Sequence, residues 1–149
     1  MDSAQIDKII MSMREGAKYY RGCFPSDQLQ HPFKYPAALI VNEDPSFLPG
    51  SHWVSIFIKN QKEAYYFDSF GREPIDPIKR FLSHYEKIVK NTKKFQFSKS
   101  NTCALYSIFF IQNMSIGNSF DFFIKTLNSA PNADLYVLRY FKRLYANKE

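Results

Sequence analysis

Cysteine is scarce in this chain, and long apolar runs are missing from it. Only two cysteines occur in 149 residues, too few for a disulfide framework or, without histidines at ligand spacing, for a zinc site. We therefore expect free thiols, a reducing intracellular compartment and no metal. No apolar stretch reaches the roughly 18 residues of a membrane span, and residues 1–16 lack the pattern of a signal peptide. A membrane-bound or disulfide-rich secreted protein is not expected.

Internal repeats, low-complexity tracts and a recognisable linker are lacking too, which predicts a single domain over residues 1–149. A domain of this length buries on the order of 68–70% of the surface of its unfolded chain. The composition is 45% hydrophobic and 17% aromatic, which is typical of a globular protein rather than a disordered one. We expect a monomer.

Acidic residues are outnumbered by basic ones, 14 against 20, which gives a formal net charge of +6. Four lysines lie close together in the sequence: Lys87, Lys90, Lys93 and Lys94. Such a group can bind nucleic acid by releasing counterions from the phosphates. It can equally form a solvated face that keeps an aromatic-rich protein in solution. The sequence leaves both interpretations open.

The hydrophobic pattern predicts an α+β fold, in which a small mixed sheet packs on a central helix. Runs of β-branched and aromatic residues at 53–59 and 64–67 flank a polar turn and indicate an antiparallel hairpin. Further strands are predicted at 37–41 and 95–97, helices at 2–14, 76–90, 120–127 and 134–145, and loops at 22–36 and 42–50.

Residues 95–114 change from a polar loop into an almost continuous apolar run. Three residues of types that cap helix starts lie in the loop: Ser100, Asn101 and Thr102. The dense apolar side chains after Cys103 predict a helix that is buried on most sides. Cys103 would lie in its first turn, where the helix dipole lowers a thiol pKa and favours the nucleophilic thiolate. The alternative is an ordinary buried cysteine.

A candidate base and a candidate oxyanion donor accompany this cysteine. His52 precedes the first hairpin strand and Asp68 follows the second, so the two should lie close together, with the carboxylate orienting the imidazole. Gln96 can donate a hydrogen bond toward an oxygen beside the thiolate, with the Cys103 backbone N–H as second donor. Taken singly, His52 could be a surface residue and Asp68 a turn former. Together the four indicate nucleophilic catalysis.

These residues lie in motifs that resemble a known family. PGSHWV at 49–54, YYFDSFG at 65–71 and the Gln96-x6-Cys103 spacing resemble adenain, the adenovirus maturation protease, and its relatives in virophages and Polinton elements. These enzymes belong to the clan of ubiquitin-like-modifier proteases. GCFPSDQL at 22–29 and ALIVN at 38–42 are similar to the segments that precede the catalytic histidine in that family. The resemblance covers residues 20–111.

The resemblance implies a cysteine protease of that family, with Cys103 as nucleophile, His52 as general base, Asp68 as orienting acid and Gln96 as oxyanion donor. It implies a substrate groove beside Trp53 that also includes Asn42 and Ala104. Viral capsid or core precursors, cut at small-residue sites containing Gly, are the implied substrates, and the host nucleus or the virion is the implied location. DNA is the implied activator, bound through the lysine group, and no other cofactor is expected.

The chain departs from the family pattern at three positions. Ala104 stands where a glycine usually follows the catalytic cysteine, and its methyl group could crowd the groove. Ser107 replaces a second cysteine that the family often has, which costs no catalysis. No cysteine lies just upstream of Gln96, so activation by a disulfide-linked peptide is not expected. Cys23 is interpreted as structural, with a regulatory thiol as the alternative.

Three other functions remain open from the sequence. One is an isopeptidase that removes a ubiquitin-like modifier, and another is an acyltransferase that uses the same thiol. The third belongs to a different class: an inactive nucleic-acid-binding or structural relative, which Ala104 favours.

Overall fold

The computed structural model describes residues 1–48, 51–97 and 101–146. Its helices are α1 (Ser3–Met11), α2 (Asp76–Leu82), α3 (Cys103–Ser115), α4 (Phe120–Ser129) and α5 (Ala133–Ala146). Its strands are β1 (Tyr20–Pro25), β2 (Ala37–Asn42), β3 (Trp53–Ile58), β4 (Glu63–Phe67) and β5 (Lys87–Lys90). The predicted α+β class is confirmed.

The strands form one mixed sheet in the order β1-β2-β3-β4-β5. The central pairs β2–β3 and β3–β4 are antiparallel, whereas the outer pairs β1–β2 and β4–β5 are parallel. The hairpin predicted from the runs at 53–59 and 64–67 is therefore present. Because its strands are antiparallel, the start of β3 and the end of β4 lie at the same end of the hairpin.

Both faces of the central strands are covered, and the side chains alternate between two cores as the pleat requires. One face of the sheet, with Ile40, Phe57 and Phe67, packs against α1, α3, α4 and α5. The other face, with Val41 and Tyr66, packs on α2 and on the loops beside it. Burial on both faces explains why β2 reads as a continuous apolar run rather than an alternating one.

The helix predicted at 2–14 is α1, shorter at both ends than the pattern indicated. Asp2 caps it by accepting a hydrogen bond from the Gln5 backbone N–H at 2.8 Å, and the Gln5 side chain accepts one from the Asp2 backbone N–H. The helices predicted at 120–127 and 134–145 are α4 and α5.

Three element predictions were wrong. Residues 22–25 belong to β1 rather than to a loop, and pairing with β2 supplies the hydrogen bonds that a proline-rich pattern did not suggest. The helix predicted at 76–90 ends at Leu82, and its second half becomes β5, because pairing with β4 extends the sheet. Residues 95–97 form no strand; the backbone N–H groups of Phe95 and Gln96 instead donate to the Ser69 carbonyl oxygen, at 2.8 and 3.0 Å.

Candidate active site

His52 and Asp68 meet at the end of the hairpin where β3 begins and β4 ends. The distance between His52 Nε2 and Asp68 Oδ1 is 2.7 Å, and both side chains are buried. The ring of Phe70 stacks on the imidazole, with centroids 4.7 Å apart. The antiparallel hairpin thus brings together two residues that are 16 positions apart in the sequence.

The Asp68 carboxylate is held on both of its oxygens. Oδ1 also accepts from the Phe70 backbone N–H at 2.9 Å, and Oδ2 accepts from the backbone N–H and Nε of Arg72, at 3.2 and 3.4 Å. Burial works against the charged form, but the hydrogen bonds from His52 and Phe70 outweigh it and lower the pKa of Asp68. The carboxylate is therefore ionised while it faces the imidazole.

Cys103 is the first residue of α3, as the sequence predicted. Burial raises the pKa of its thiol. Hydrogen bonds from His52 and from the Trp53 and Ala104 backbones, together with the His52 charge, lower the pKa by more than burial raises it, so the net shift is downward. Thr102, one of the three predicted capping residues, is the N-cap residue of α3, but its side chain makes no capping hydrogen bond; its hydroxyl donates to Asp134 at 3.5 Å. Ser100 lies outside the described residues.

His52 connects the carboxylate to the sulfur. Burial alone would lower its pKa, yet the hydrogen bonds to Asp68 and Cys103 and the charges on both raise the pKa to about 9. Because Nε2 faces Asp68, Nδ1 is the ring nitrogen available to the sulfur. Near neutral pH the arrangement therefore favours a thiolate and an imidazolium, the reactive state of a cysteine–histidine pair.

Gln96 is buried and lines the same cavity as His52 and Cys103. Its side-chain Oε1 accepts a hydrogen bond from the Ser69 hydroxyl at 2.5 Å. The structure therefore brings all four residues of the predicted constellation to one site.

The cavity above Cys103 has a volume of about 1080 Å³, which is large enough for several residues of a peptide. Of the three predicted groove residues, Trp53 and Asn42 line it. The prediction for Ala104 was wrong, because its methyl group is buried in the hydrophobic core below the site. Helix geometry directs the Ala104 side chain inward and leaves only its backbone N–H near the sulfur.

Several supporting residues were missed by the sequence analysis. Asn91 accepts from the Asp68 backbone N–H at 3.0 Å and donates to the Asp68 carbonyl oxygen at 2.6 Å, which fixes the residue that holds His52. Arg72 joins Asp68 to Glu43, whose Oε1 lies 3.1 Å from its Nη2. Asp134, on α5, accepts from the Tyr106 hydroxyl at 2.6 Å and so ties α5 to α3. Ser69 and Arg72 lie in or beside the YYFDSFG motif, which was the available signal.

The predicted lysine group is partly engaged by neighbouring residues. Lys90 forms an ion pair with Glu73, and Lys93 Nζ donates to Asn128 Oδ1 at 2.6 Å. Lys94 lies over the ring of Phe70, at 5.5 Å from its centroid. Lys87 is exposed on the edge strand β5.

Cys23 also lines the cavity, but its chemistry is the reverse of that of Cys103. Its sulfur lies 3.0 Å from the Tyr20 hydroxyl. Burial is the main cause that raises its pKa to about 12, so this thiol is protonated near neutral pH.

No group of three or more His, Cys, Asp and Glu side chains able to hold a metal occurs among the described residues. No helix among them is long and apolar enough to cross a membrane.

Comparison with known proteins identifies viral relatives. A thiol protease of Acanthamoeba polyphaga mimivirus is 35% identical over 95 residues, which cover 56% of this chain and 32% of the relative. A cysteine protease of African swine fever virus is 31% identical over 100 residues, which cover 58% of this chain and 37% of the relative. The chain thus spans about a third of the length of these curated relatives. No family model matches it.

The crystal structure of the African swine fever virus protease superposes with a TM-score of 0.61 at 19% identity, covering 91% of this chain and 63% of the protease chain. A second structure of that protease gives a TM-score of 0.50 at 24% identity, over 68% of this chain and 42% of the other. At these identities the match establishes the fold. The named relatives are viral cysteine-type proteases, in agreement with the class that the motifs predicted, whereas the narrower adenain-like family stays a prediction.

Proposed function

We propose that this chain carries the catalytic domain of a cysteine endopeptidase that cleaves viral precursor polypeptides. The observation that carries the proposal is the series of hydrogen bonds from Asp68 through His52 to Cys103, with the sulfur at the start of a buried helix and open to a peptide-sized cavity. The similarity to two viral cysteine proteases supports the same reaction class.

The first half of the reaction is acyl transfer to sulfur. The Cys103 thiolate attacks the carbonyl carbon of the scissile peptide bond, and the carbonyl oxygen becomes an oxyanion beside the Gln96 amide. The His52 imidazolium then gives its proton to the leaving nitrogen as the C–N bond breaks. A thioester remains on Cys103, and the new amine leaves.

The second half is hydrolysis of that thioester. His52, now neutral, takes a proton from a water molecule, and the hydroxide attacks the thioester carbonyl carbon. When the C–S bond breaks, the sulfur departs as a thiolate and the peptide leaves as a carboxylic acid. His52 keeps the proton, which restores the ion pair, and the Asp68 carboxylate stabilises the imidazolium in both halves.

The experiment is incubation of the purified chain with Gly-Gly-containing peptides and, in parallel, with proteins conjugated to a ubiquitin-like modifier. We expect cleavage of the peptides, which is abolished by Cys103→Ala and retained by the matched variant Cys23→Ala. Release of the modifier without peptide cleavage would establish the isopeptidase instead. Transfer of the acyl group to an added amine in preference to water would establish the acyltransferase. No reaction with any substrate would contradict the proposal.

We also propose DNA as an activator and binding partner, through the lysine group. The net charge of +6 supports this role, as does the exposure of Lys87 on an edge strand. Lys90 and Lys93 would have to exchange their present contacts for phosphate. The host nucleus or the virion, where such DNA would be met, remains the proposed location.

A further inference from the structure

Phe70 stacks on the imidazole of His52, and the reaction steps above give this ring no role. The two ring centroids lie 4.7 Å apart and the ring planes differ by 24°, so the rings face each other. Stacking at this distance is a favourable arrangement for two aromatic rings. Phe70 is partly buried and lines the cavity above Cys103. Its ring therefore forms one wall beside the group that moves the proton.

The main chain of Phe70 is fixed by the turn that follows β4. Its backbone N–H donates to Asp68 Oδ1 at 2.9 Å, and the Gly71 backbone N–H donates to the Asp68 carbonyl oxygen at 2.8 Å. Gly71 has a φ of +68°, in the left-handed region that favours glycine. A Cβ atom at Gly71 would also lie 2.6 Å from the carbonyl group of Lys93. The sequence Asp-Ser-Phe-Gly thus places the ring at a defined position beside Asp68.

Two cations restrain the side chain of Phe70. The guanidinium carbon of Arg72 lies 5.0 Å from the ring centroid, and Lys94 Nζ lies 5.5 Å from it. A cation at this distance is attracted by the negative face of an aromatic ring. Arg72 Nε also contacts Asp68 Oδ2, at 3.4 Å. The residue that helps to hold the carboxylate therefore helps to hold the ring.

The hydrogen bond to Asp68 does not by itself fix the plane of the imidazole. It holds Nε2, but the torsion about the Cβ–Cγ bond of histidine has only broad preferences, and rotation there moves Nδ1 away from the sulfur. A ring stacked face to face resists this rotation, because turning would drive its edge into the neighbouring ring. The restraint matters most in the thioester stage, when the Cys103 sulfur is bonded to the acyl group and no longer pairs with the imidazolium.

We infer that Phe70 is a positioning residue that holds the His52 imidazole in the plane in which Nδ1 faces the Cys103 sulfur. The inference rests on the proposed function, in which His52 moves the proton. A stacked aromatic pair changes an equilibrium by about two- to tenfold, and this range sets the size of the expected defect.

The first test does not depend on peptide cleavage. It measures the rate at which iodoacetamide alkylates Cys103 as a function of pH, in Phe70→Leu, which lacks the ring, and in Phe70→Tyr, which keeps it. On the acid limb, where the imidazolium sets the thiolate fraction, we expect Phe70→Leu to react about two- to tenfold more slowly. On the alkaline plateau, where the thiol ionises without its partner, the rates should converge. Phe70→Tyr should match the unmodified protein throughout.

Phe120→Leu is the matched control. Phe120 is also partly buried and also packs on an aromatic ring, that of Tyr65, with centroids 5.8 Å apart, but it lies on α4 away from the cavity. Phe70→Met is a second variant without a ring, for use if Phe70→Leu does not fold. The charged groups that act on the imidazole are the same in all of these variants: Asp68, Cys103 and Glu43.

The second test uses a cleaved peptide. We expect Phe70→Leu to lower kcat by about two- to tenfold with KM little changed, because the ring acts on the proton-transferring group. Phe70→Tyr should restore kcat, and Phe120→Leu should leave it unchanged. Restoration by tyrosine separates the stacked ring from the mere filling of space.

The outcomes separate this inference from the proposed function. A slower acid limb that Phe70→Tyr restores, in a protein that cleaves no peptide, would retain the inference and overturn the peptidase. An unchanged acid limb in Phe70→Leu, in a protein that does cleave peptides, would retain the peptidase and overturn the inference. An equal defect in Phe70→Tyr or Phe120→Leu, or rates that stay apart on the alkaline plateau, would also overturn the inference.

Discussion

Asp68 Oδ1 lies 2.7 Å from His52 Nε2, and each residue comes from the end of a different strand of one antiparallel hairpin. The carboxylate is buried and ionised, so it favours a proton on the imidazole. That proton favours in turn the thiolate form of Cys103. Each charge in the series is stabilised by the next, which offsets the cost of burying His52 and Asp68 and of half-burying Cys103.

The first prediction concerns the relative reactivity of the two cysteines. Iodoacetamide should alkylate Cys103 much faster than Cys23 near neutral pH, because the pKa of Cys103 is lowered whereas that of Cys23 is raised to about 12. Peptide mapping after brief labelling measures both rates in one sample. Equal rates, or a faster Cys23, would contradict the assignment of the active thiolate.

The second prediction is the pH dependence of peptide cleavage. As pH falls through the lowered pKa of Cys103, the thiolate is protonated and kcat/KM should decrease. As pH rises through about 9, His52 loses the proton that the leaving nitrogen requires, and kcat/KM should decrease again. A bell-shaped profile with its alkaline limb near pH 9 is therefore expected. An alkaline limb near pH 6.5, the ordinary pKa of histidine, would show that Asp68 and Cys103 do not hold the imidazolium.

Asp68→Asn tests the orienting carboxylate. The amide retains the shape but loses the charge that raises the pKa of His52, so the alkaline limb should move to lower pH. The turnover number should fall by about 10²–10⁴, the range for a mispositioned base in such a triad. Asp121→Asn is the matched control, because that carboxylate is exposed on α4 and pairs only with Lys125 among the described residues. An unchanged alkaline limb in Asp68→Asn would refute the role.

Much of this site could be predicted from the sequence, because it depends on local patterns. A hairpin places residues at its strand ends together, and an apolar run after Cys103 can be satisfied only by a buried helix. The contacts of Ser69 and Asn91 span instead 27 and 23 residues, which no local pattern encodes. The same reason explains β5: Ile88 fits the helical spacing of the preceding residues, but pairing with β4 decides its conformation.

Ala104→Gly separates stability from catalysis. The Ala104 methyl group is buried in the core, and glycine in a helix costs about 1 kcal/mol relative to alanine. With the lost burial of one methyl group, about 0.8 kcal/mol, the free energy of unfolding should fall by about 1–2 kcal/mol in denaturant titration. The alkylation rate of Cys103 should stay the same, because the backbone N–H remains. A gain in kcat/KM without a loss of stability would contradict the core position of Ala104 and show that its methyl group lies in the substrate groove.

The last prediction concerns the lysine group and tests whether it binds DNA or only keeps the protein in solution. Labelled duplex DNA of any sequence should bind, and because released counterions supply most of the binding free energy, affinity should fall by orders of magnitude between about 50 and 200 mM salt. Charge removal at Lys87 and Lys94 together should reduce the slope of log affinity against log salt by about 2. Lys125→Gln is the matched control, because this exposed lysine lies on α4, outside the group. If no DNA is bound at the lower salt, or if the control reduces the slope equally, the group has no role in recognition and the charge serves solubility alone.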